Sequence, residues 1–214
     1  GLCGGNVTVP LKELVASECV DLSREARRAG AVNTFRVGPQ GWTGHNTDHG
    51  GLIEVLRELG VETGWQGVVL GAGGSARAAV LALCDSGVAD VRVTSRPGDG
   101  AKRTTAWIEK DPDLVPLVGL GPWEQPRRPE GTPVVTVVCV PDGVAIDAVM
   151  PDTRDDAASL CLDLRYGESL GDAIPGWECH DGLGLLLAQG ALAFHWIFGV
   201  EPSRGLMARA LDAD

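Results

Sequence analysis

A glycine-rich turn in the middle of the chain has the residue types and spacing of a dinucleotide-binding site. It follows the pattern G-x-G-x-x-A, directly after the apolar run 66–70 and before a segment compatible with a helix. In this pattern the first glycine permits a tight turn, the second lets the backbone approach a pyrophosphate, and the alanine allows close helix–strand packing. The N–H groups and positive dipole end of the helix N-terminus then attract the anion. We therefore expect these residues to bind a dinucleotide: Gly71, Ala72, Gly73, Gly74, Ser75 and Ala76.

The end of the next strand along the chain indicates which dinucleotide binds. An NAD site usually has Asp or Glu there, about twenty residues after the glycines, to bond the ribose 2′-hydroxyl. Here the strand ends in Ser95 and Arg96, and Asp90 lies at its opposite end. A hydroxyl and a guanidinium suit a 2′-phosphate, which a carboxylate would repel. The sequence therefore predicts NADP(H) as the cofactor.

Three short segments before residue 50 concentrate amide, hydroxyl, ammonium and carboxylate groups. They read NVTVPLK (6–12), GAVNT (30–34) and GHNTD (44–48), and they contain all three Asn of the chain and one of its three Lys. The scarcity of Lys, Asn and Tyr indicates a GC-rich coding background, in which a remaining Lys or Asn is more often chemically required. Taken singly, these residues fit turn asparagines, a surface lysine and a helix N-cap. Taken together, they favour a polar site.

Strands and helices alternate through the middle of the chain. Apolar strands are predicted at 66–70, 90–95, 133–140 and 160–164, and the first two flank a helix, which makes a βαβ unit. This alternation predicts the α/β class with a Rossmann-like, doubly wound parallel sheet. The start of the chain differs, because AVNTFRV and GWTGHNT flank a turn and predict a hairpin. We place a domain boundary near Asp48 and His49.

Composition and charge exclude several classes of protein. The chain has 214 residues and a formal net charge of −11, which disfavours nucleic acid as a partner. No apolar run is long enough to span a membrane, and no signal peptide is evident. The six cysteines form no CxxC pair and the four histidines lack metal-ligand spacing, so no metal site is predicted. Scattered thiols in apolar runs favour a reducing cytoplasm.

The combination of motifs resembles the shikimate dehydrogenase family. The resemblance rests on NVTVPLK, AVNT, GHNTD and the GAGGSARA turn, and on the closing DGLG (181–184) with Gln189-Gly190. It extends from Gly4 to about Pro202. It implies NADPH-dependent, reversible reduction of 3-dehydroshikimate to shikimate, a small-molecule substrate, in the pathway to aromatic amino acids. It also implies a cytoplasmic monomer or homodimer.

The resemblance also implies roles for individual residues. Lys12 and Asp48 would form the catalytic pair, in which Lys12 acts as acid/base and Asp48 orients it. An ammonium near the developing alkoxide stabilises its charge and can relay a proton. Gly182 would join the cofactor site. The substrate would be contacted by Asn6, Thr8, Asn33, Tyr166 and Gln189.

Three features depart from the family pattern. The usual N-x-T-P-x-G-M segment is replaced by VVCVPDG (137–143), and a common Met is replaced by Leu185, so nicotinamide packing is expected to differ. The family also begins with a βαβ segment whose serine pair binds the substrate carboxylate, and this chain starts after it. We therefore expect a partial substrate domain at 1–48, an NADP-binding Rossmann domain at 49–181, and C-terminal helices at 182–214 that return to the substrate domain.

Other functions remain open. Quinate and aminoshikimate dehydrogenases are alternatives within the same class, although Ser95 and Arg96 disfavour the NAD-preferring quinate type. A non-catalytic NADP-binding homologue is an alternative from a different class. The short start and the altered 137–143 loop favour that alternative, and the presence of Lys12 and Asp48 disfavours it.

Overall fold

The computed structural model describes residues 2–88, 90–126, 128–152, 156–165 and 174–211. Tyr166, which the sequence placed in the substrate site, lies outside these residues. Within the described ranges the chain forms ten strands and seven α-helices, arranged around two separate sheets.

The larger sheet has six strands, and every pairing within it is parallel. Its strands are β5 (Gln66–Leu70), β6 (Asp90–Thr94), β7 (Val118–Gly121), β8 (Val134–Val138), β9 (Ser159–Asp163) and β10 (Glu178–His180). They lie in the order β10-β9-β8-β5-β6-β7. Strands β5, β8 and β9 are buried along their whole length, as expected for parallel strands covered on both faces. This is the doubly wound, Rossmann-like α/β sheet that the sequence predicted.

Two helices follow the first strands of this sheet, α4 (Gly74–Asp85) and α5 (Asp99–Lys110). Helix α4 is rich in Ala and Leu, and its residues from Ala76 to Leu83 are all buried. Small side chains let this helix lie close to the strands beneath it, which continues the tight entry from the glycine turn. Helix α5 is more polar and buries only Thr104 and Ile108.

The smaller sheet is built from the first part of the chain. This part of the chain contains β1 (Gly4–Asn6), α1 (Lys12–Glu18), β2 (Asp21–Leu22), α2 (Arg24–Ala29), β3 (Thr34–Gly38) and β4 (Gly41–His45). The four strands lie in the order β1-β3-β4-β2. The predicted hairpin is present, because β3 and β4 pair antiparallel, and β2 pairs parallel to β4. Helix α2 ends at Gly30, which lies in the left-handed region with φ +59°.

Helices α3 (Thr47–Glu58) and α6 (Leu183–Phe198) pack against each other and join the two sheets. A side chain at Gly51 would place its Cβ 2.9 Å from the backbone nitrogen of Gln189, so a glycine is needed for this close helix contact. Helix α3 also packs on α4, and α6 contacts β1 and β3. The last helix, α7 (Arg204–Leu211), lies against α6.

Strands β2, β7 and β10 and helix α5 were not predicted from the sequence. No helix in the described part of the chain is long and apolar enough to cross a membrane. The described residues also contain no group of three His, Cys, Asp or Glu side chains that could hold a metal ion.

Candidate active site

The glycine turn lies between the end of β5 and the start of α4. Gly71 has φ +129°, and a Cβ there would lie 2.6 Å from the carbonyl oxygen of Cys139, so only glycine fits. Gly73 is the N-cap of α4 and has no side chain to satisfy the first N–H groups of the helix. A Cβ at Gly73 would meet no atom within 4 Å, so the backbone there is open to an approaching ligand. These features fit an anion held at the helix N-terminus.

A cavity of about 740 Å³ lies over this turn. It is lined by residues 71–75, by Ser95 and Arg96 at the end of β6, and by the first residues of α5. Its volume lies within the range of about 300–1,000 Å³ that is usual for ligand and cofactor sites. Ala76 is fully buried in α4, where it packs rather than lines the cavity. Apart from Ala76, the predicted cofactor residues of the glycine turn and of the end of β6 therefore line one cavity.

The side chains of Lys12 and Asp48 form an ion pair, although they come from different helices. Lys12 Nζ lies 2.5 Å from Asp48 Oδ2, and the two side chains are only 12% and 9% exposed. Lys12 is the first residue of α1, and Asp48 lies in the first turn of α3. Lys12 Nζ also donates a hydrogen bond of 3.0 Å to Ser75 Oγ in α4. The ammonium thus lies where the two sheets meet.

A buried amide fixes the orientation of the Asp48 carboxylate. Asn33 Nδ2 donates to Asp48 Oδ1 at 2.8 Å, and Asn33 Oδ1 accepts from the backbone nitrogen of Thr47 at 2.7 Å. The same amide lies 3.2 Å from Gln189 Oε1 on α6. Hydrogen bonds to a carboxylate that also pairs with an ammonium hold both oxygens in place. Asn33 therefore contacts the Lys12–Asp48 pair through Asp48.

A smaller cavity of about 220 Å³ adjoins the larger one. The two cavities share Lys12, Ser75 and Asp142, and the apolar residues Val9, Val140, Pro141 and Leu164. Because Lys12 lines both, it lies at the junction between a dinucleotide-sized cavity and the smaller one. The polar residues that line the smaller cavity are Thr8, Lys12, Asp48, Ser75, Asp142, Arg165 and Gln189.

Only some of the other residues that the sequence placed in the substrate and cofactor sites line the two cavities. Thr8 and Gln189 line the smaller cavity. Asn6 is exposed and accepts a hydrogen bond of 3.2 Å from Thr34 Oγ1. Gly182 is the N-cap of α6. In the described part of the chain, neither cavity has Asn6, Asn33, Ala76 or Gly182 in its lining.

Arg165 is a site residue that the sequence analysis missed. It follows β9 and makes a forked ion pair with Asp163, with Nε 2.9 Å from Oδ1 and Nη2 2.6 Å from Oδ2. The Asp163 carboxylate raises the pKa of the Arg165 guanidinium. Arg165 Nη1 also donates to the carbonyl of Val144 at 3.1 Å, which ties the residue after the 137–143 loop to the end of β9. Its position after a parallel strand, at the edge where ligands bind, was the available signal.

Cys139 lies under the glycine turn and occupies the altered loop. Its removal from water raises the pKa of its thiol well above the ordinary value. Burial likewise raises the pKa of Cys84 to about 11. Thiols in such surroundings stay protonated at neutral pH and act as small apolar side chains.

A parallel sheet with a glycine turn at its central strand, joined to a second sheet, with a largely buried Lys–Asp pair on helices α1 and α3, defines a two-sheet α/β protein of the dinucleotide-dependent dehydrogenase class. A family model described as the shikimate dehydrogenase substrate binding domain matches residues 1–35. The curated shikimate dehydrogenase (NADP(+)) of Anaeromyxobacter sp. strain Fw109-5 is 36% identical over 228 residues, which cover 100% of this chain and 77% of that protein. The chain belongs to the shikimate dehydrogenase family.

Solved structures agree with this assignment. Shikimate dehydrogenase of Thermus thermophilus, solved in complex with shikimate, matches with a TM-score of 0.74 and 32% identity over 97% of this chain and 76% of that one. The 5-ketofructose reductase of Gluconobacter sp. strain CHM43, solved without ligand, also matches with a TM-score of 0.74, at 26% identity over 99% of this chain and 78% of that one. The same fold therefore occurs in proteins named for different small-molecule substrates.

Proposed function

We propose that the chain catalyses the reversible, NADPH-dependent reduction of 3-dehydroshikimate to shikimate. The observation that carries this proposal is the position of Lys12, whose ammonium pairs with Asp48 and lines both cavities. A ketone in the smaller cavity and a nicotinamide in the larger one would meet beside this ammonium. The name of the curated relative, a shikimate dehydrogenase that uses NADP(+), supports both the substrate and the cofactor.

NADP(H) is the cofactor of this function, and the residues present fit it. The open backbone at Gly73 and the uncapped N-terminus of α4 suit the pyrophosphate. Ser95 and Arg96 line the same cavity at the end of β6, where the ribose 2′-phosphate of a dinucleotide lies in this type of fold. When bound, the nicotinamide supplies or accepts the hydride.

The chain's own residues handle the proton and the developing charge. Lys12 places a positive charge beside the ketone oxygen, where it stabilises the alkoxide and delivers a proton. Asp48 orients the ammonium through the 2.5 Å ion pair, and Asn33 orients Asp48. Because these groups are largely buried, their electrostatic effect is less screened than it would be in water.

The proposed substrate contacts come from side chains around the smaller cavity. Thr8 and Gln189 offer a hydroxyl and an amide to the ring hydroxyls of the substrate. Asn33 acts through Asp48 and Gln189, to which it is hydrogen bonded. The assignments of Asn6, Tyr166 and the cofactor contact Gly182 rest on the motif resemblance.

The proposed division of the chain follows its two sheets. Residues 1–48 hold the smaller sheet, 49–181 the parallel sheet, and 182–214 begin with α6, which packs back on α3, β1 and β3. We propose a cytoplasmic protein, since the described cysteines are free and burial raises the thiol pKa of Cys84, Cys139 and Cys161. The proposal of a monomer or homodimer rests on the motif resemblance.

A spectrophotometric assay tests the proposed function. The purified chain is incubated with NADP+ and shikimate, and NADPH formation is followed; quinate replaces shikimate in a parallel reaction, and NAD+ replaces NADP+ in a third. We expect turnover with shikimate and NADP+ that exceeds turnover in the other two reactions. Turnover with quinate alone would reassign the substrate, and NADPH binding without turnover on either compound would indicate a non-catalytic homologue.

A further inference from the structure

Glu13, the residue next to Lys12, holds two arginines that belong to the larger-sheet helices. Its Oε2 atom accepts from Arg77 Nη2 at 3.2 Å and from Arg103 Nε at 3.1 Å. Arg77 lies on α4 and Arg103 on α5, whereas Glu13 lies on α1. One carboxylate oxygen therefore accepts hydrogen bonds from two guanidinium groups, and these three side chains together have a net positive charge.

The two arginines differ in how firmly they are held. The Arg77 side chain is 7% exposed, and its Nη1 also donates to the carbonyl of Ala29 at 3.4 Å. The Arg103 side chain is 57% exposed. Among the described residues, its hydrogen bond is the one from Nε to Glu13. A half-exposed ion pair contributes little free energy, so Arg103 can exchange partners more readily than Arg77.

The exchangeable arginine lies beside the space proposed for the cofactor. Glu13 and Arg103 both line the 740 Å³ cavity, together with the glycine turn and Arg96. Gly100 lies one turn before Arg103 on the same face of α5, and a Cβ at Gly100 would be 2.9 Å from the carbonyl oxygen of Ala72. The face of α5 that carries Arg103 is thus the face that meets the glycine turn.

We propose that Glu13 and a phosphate group of the dinucleotide compete for Arg103. Without cofactor, Arg103 pairs with Glu13; with cofactor, its guanidinium turns to the phosphate, and Glu13 keeps the buried Arg77. A phosphate carries at least the charge of one carboxylate and accepts the forked donors of a guanidinium, and it need not share them with Arg77 as Glu13 does, so the exchange favours the ligand. Glu13 is adjacent to Lys12 on α1. The exchange therefore changes the ion pairs of α1, next to Lys12, when the cofactor cavity is occupied. The inference rests on the proposed function only in that NADP(H) occupies this cavity.

The test measures NADPH binding by fluorescence titration, without turnover. Glu13→Gln removes the competing charge but keeps an oxygen that accepts from Arg77, so the Kd for NADPH should fall about fivefold, the scale of a half-exposed ion pair. Arg103→Gln should raise that Kd about tenfold, because a charge-assisted hydrogen bond to phosphate is lost. The Glu13→Gln/Arg103→Gln double variant should have the same Kd for NADPH as Arg103→Gln alone, because the contested guanidinium is absent from both.

The matched control is Glu18→Gln, which removes the same charge from the same helix at an exposed position. It should leave the Kd unchanged, which separates competition for Arg103 from a general change in surface charge. Titrations with ADP and with 2′,5′-ADP identify the phosphate: an effect of E13Q on both ligands indicates the pyrophosphate side, and an effect on 2′,5′-ADP alone indicates the 2′-phosphate.

Three results would overturn the inference. Unchanged or weaker NADPH binding by E13Q, with normal binding by the unmodified chain, would show that Glu13 has only a structural role. Tightening that persists in the double variant would show that Arg103 is not the contested group. A chain that binds neither NADPH nor either ADP fragment would overturn the proposed function together with this inference.

Discussion

Lys12 Nζ donates a hydrogen bond of 3.0 Å to Ser75 Oγ, which joins the first residue of α1 to the first turn of α4. Lys12 also packs there, since a Cβ at Gly74 would lie 3.2 Å from the Lys12 Cβ. The proposed proton donor and the proposed pyrophosphate cradle are therefore in direct contact. Any shift of the glycine turn relative to α1 moves the Lys12 ammonium.

Replacing Ser75 by Ala should lower kcat and leave folding intact. The variant removes one of the two recorded hydrogen bonds of the ammonium, and a bond to a charged group is worth about 1.5–3 kcal/mol. We expect kcat to fall about tenfold, as measured by steady-state kinetics with shikimate and NADP+. Ser86→Ala, at the opposite end of α4, is the control and should keep the original rate. An unchanged kcat in Ser75→Ala would show that Asp48 alone positions Lys12.

Replacing Lys12 by Ala should abolish most of the turnover while preserving ligand binding. General acid catalysis contributes about 10²–10⁴-fold, so kcat should fall by that factor. The Kd for shikimate, measured by calorimetry, should change little, because Thr8 and Gln189 still line the cavity. Lys110→Ala, an exposed lysine at the end of α5, serves as the control. A near-normal kcat in Lys12→Ala would exclude its proposed role.

Replacing Arg96 by Ala should change the choice of cofactor. Arg96 is exposed at the end of β6 and lines the larger cavity, where it can pair with a 2′-phosphate that NADH lacks. The KM for NADPH should rise about tenfold or more, and the KM for NADH should stay nearly constant. Arg92→Ala, on the same strand and paired with Asp90 at 3.0 Å, controls for loss of surface charge. Equal changes for both cofactors would contradict the assignment.

Local patterns were sufficient for the elements whose residues bury a clear face. The hairpin of β3 and β4 and the β5–α4 unit were both predicted, because alternation and the glycine turn are visible within a dozen residues. Helix α5 was missed because it is polar overall and buries only Thr104 and Ile108, so it has no apolar run like those of the predicted elements. Strands β7 and β10 are short edge strands of four and three residues, whose pairing depends on a neighbour far along the chain.

The candidate site was predictable in its residue types but not in its contacts. Motif resemblance named Lys12 and Asp48, yet nothing local shows that residues 36 positions apart meet at 2.5 Å. The pairing of Glu13 with Arg103, 90 positions apart, carries no sequence signal, because both residues fit a solvated helix face. Such contacts depend on how α1, α4 and α5 are placed by the two sheets.

His45 should make stability depend on pH in the mildly acidic range. Burial lowers the pKa of His45, and the nearby charges of His49 and Arg36 act in the same direction, against an opposing effect of Glu25. Its ring stacks on Trp196 with centroids 5.2 Å apart, and Nδ1 lies 2.7 Å from Ser23 Oγ. Since the unfolded chain takes up the proton first, the contribution is complete above about pH 6.5 and is lost as the pH falls toward the lowered folded-state pKa.

The free energy of unfolding is measured by urea denaturation at several pH values between about 7.5 and about 5. This range spans the ordinary histidine pKa of about 6.5. The free energy of unfolding of the unmodified chain should decline as the pH falls through this range, and His45→Gln should flatten that decline because the buried site no longer binds a proton. His195→Gln replaces a half-exposed histidine on α6 and should keep the original slope. If the free energy of unfolding of His45→Gln declines with pH as steeply as that of the unmodified chain, the acidic destabilisation arises from other groups. Removing His45 removes its own linkage between protonation and stability.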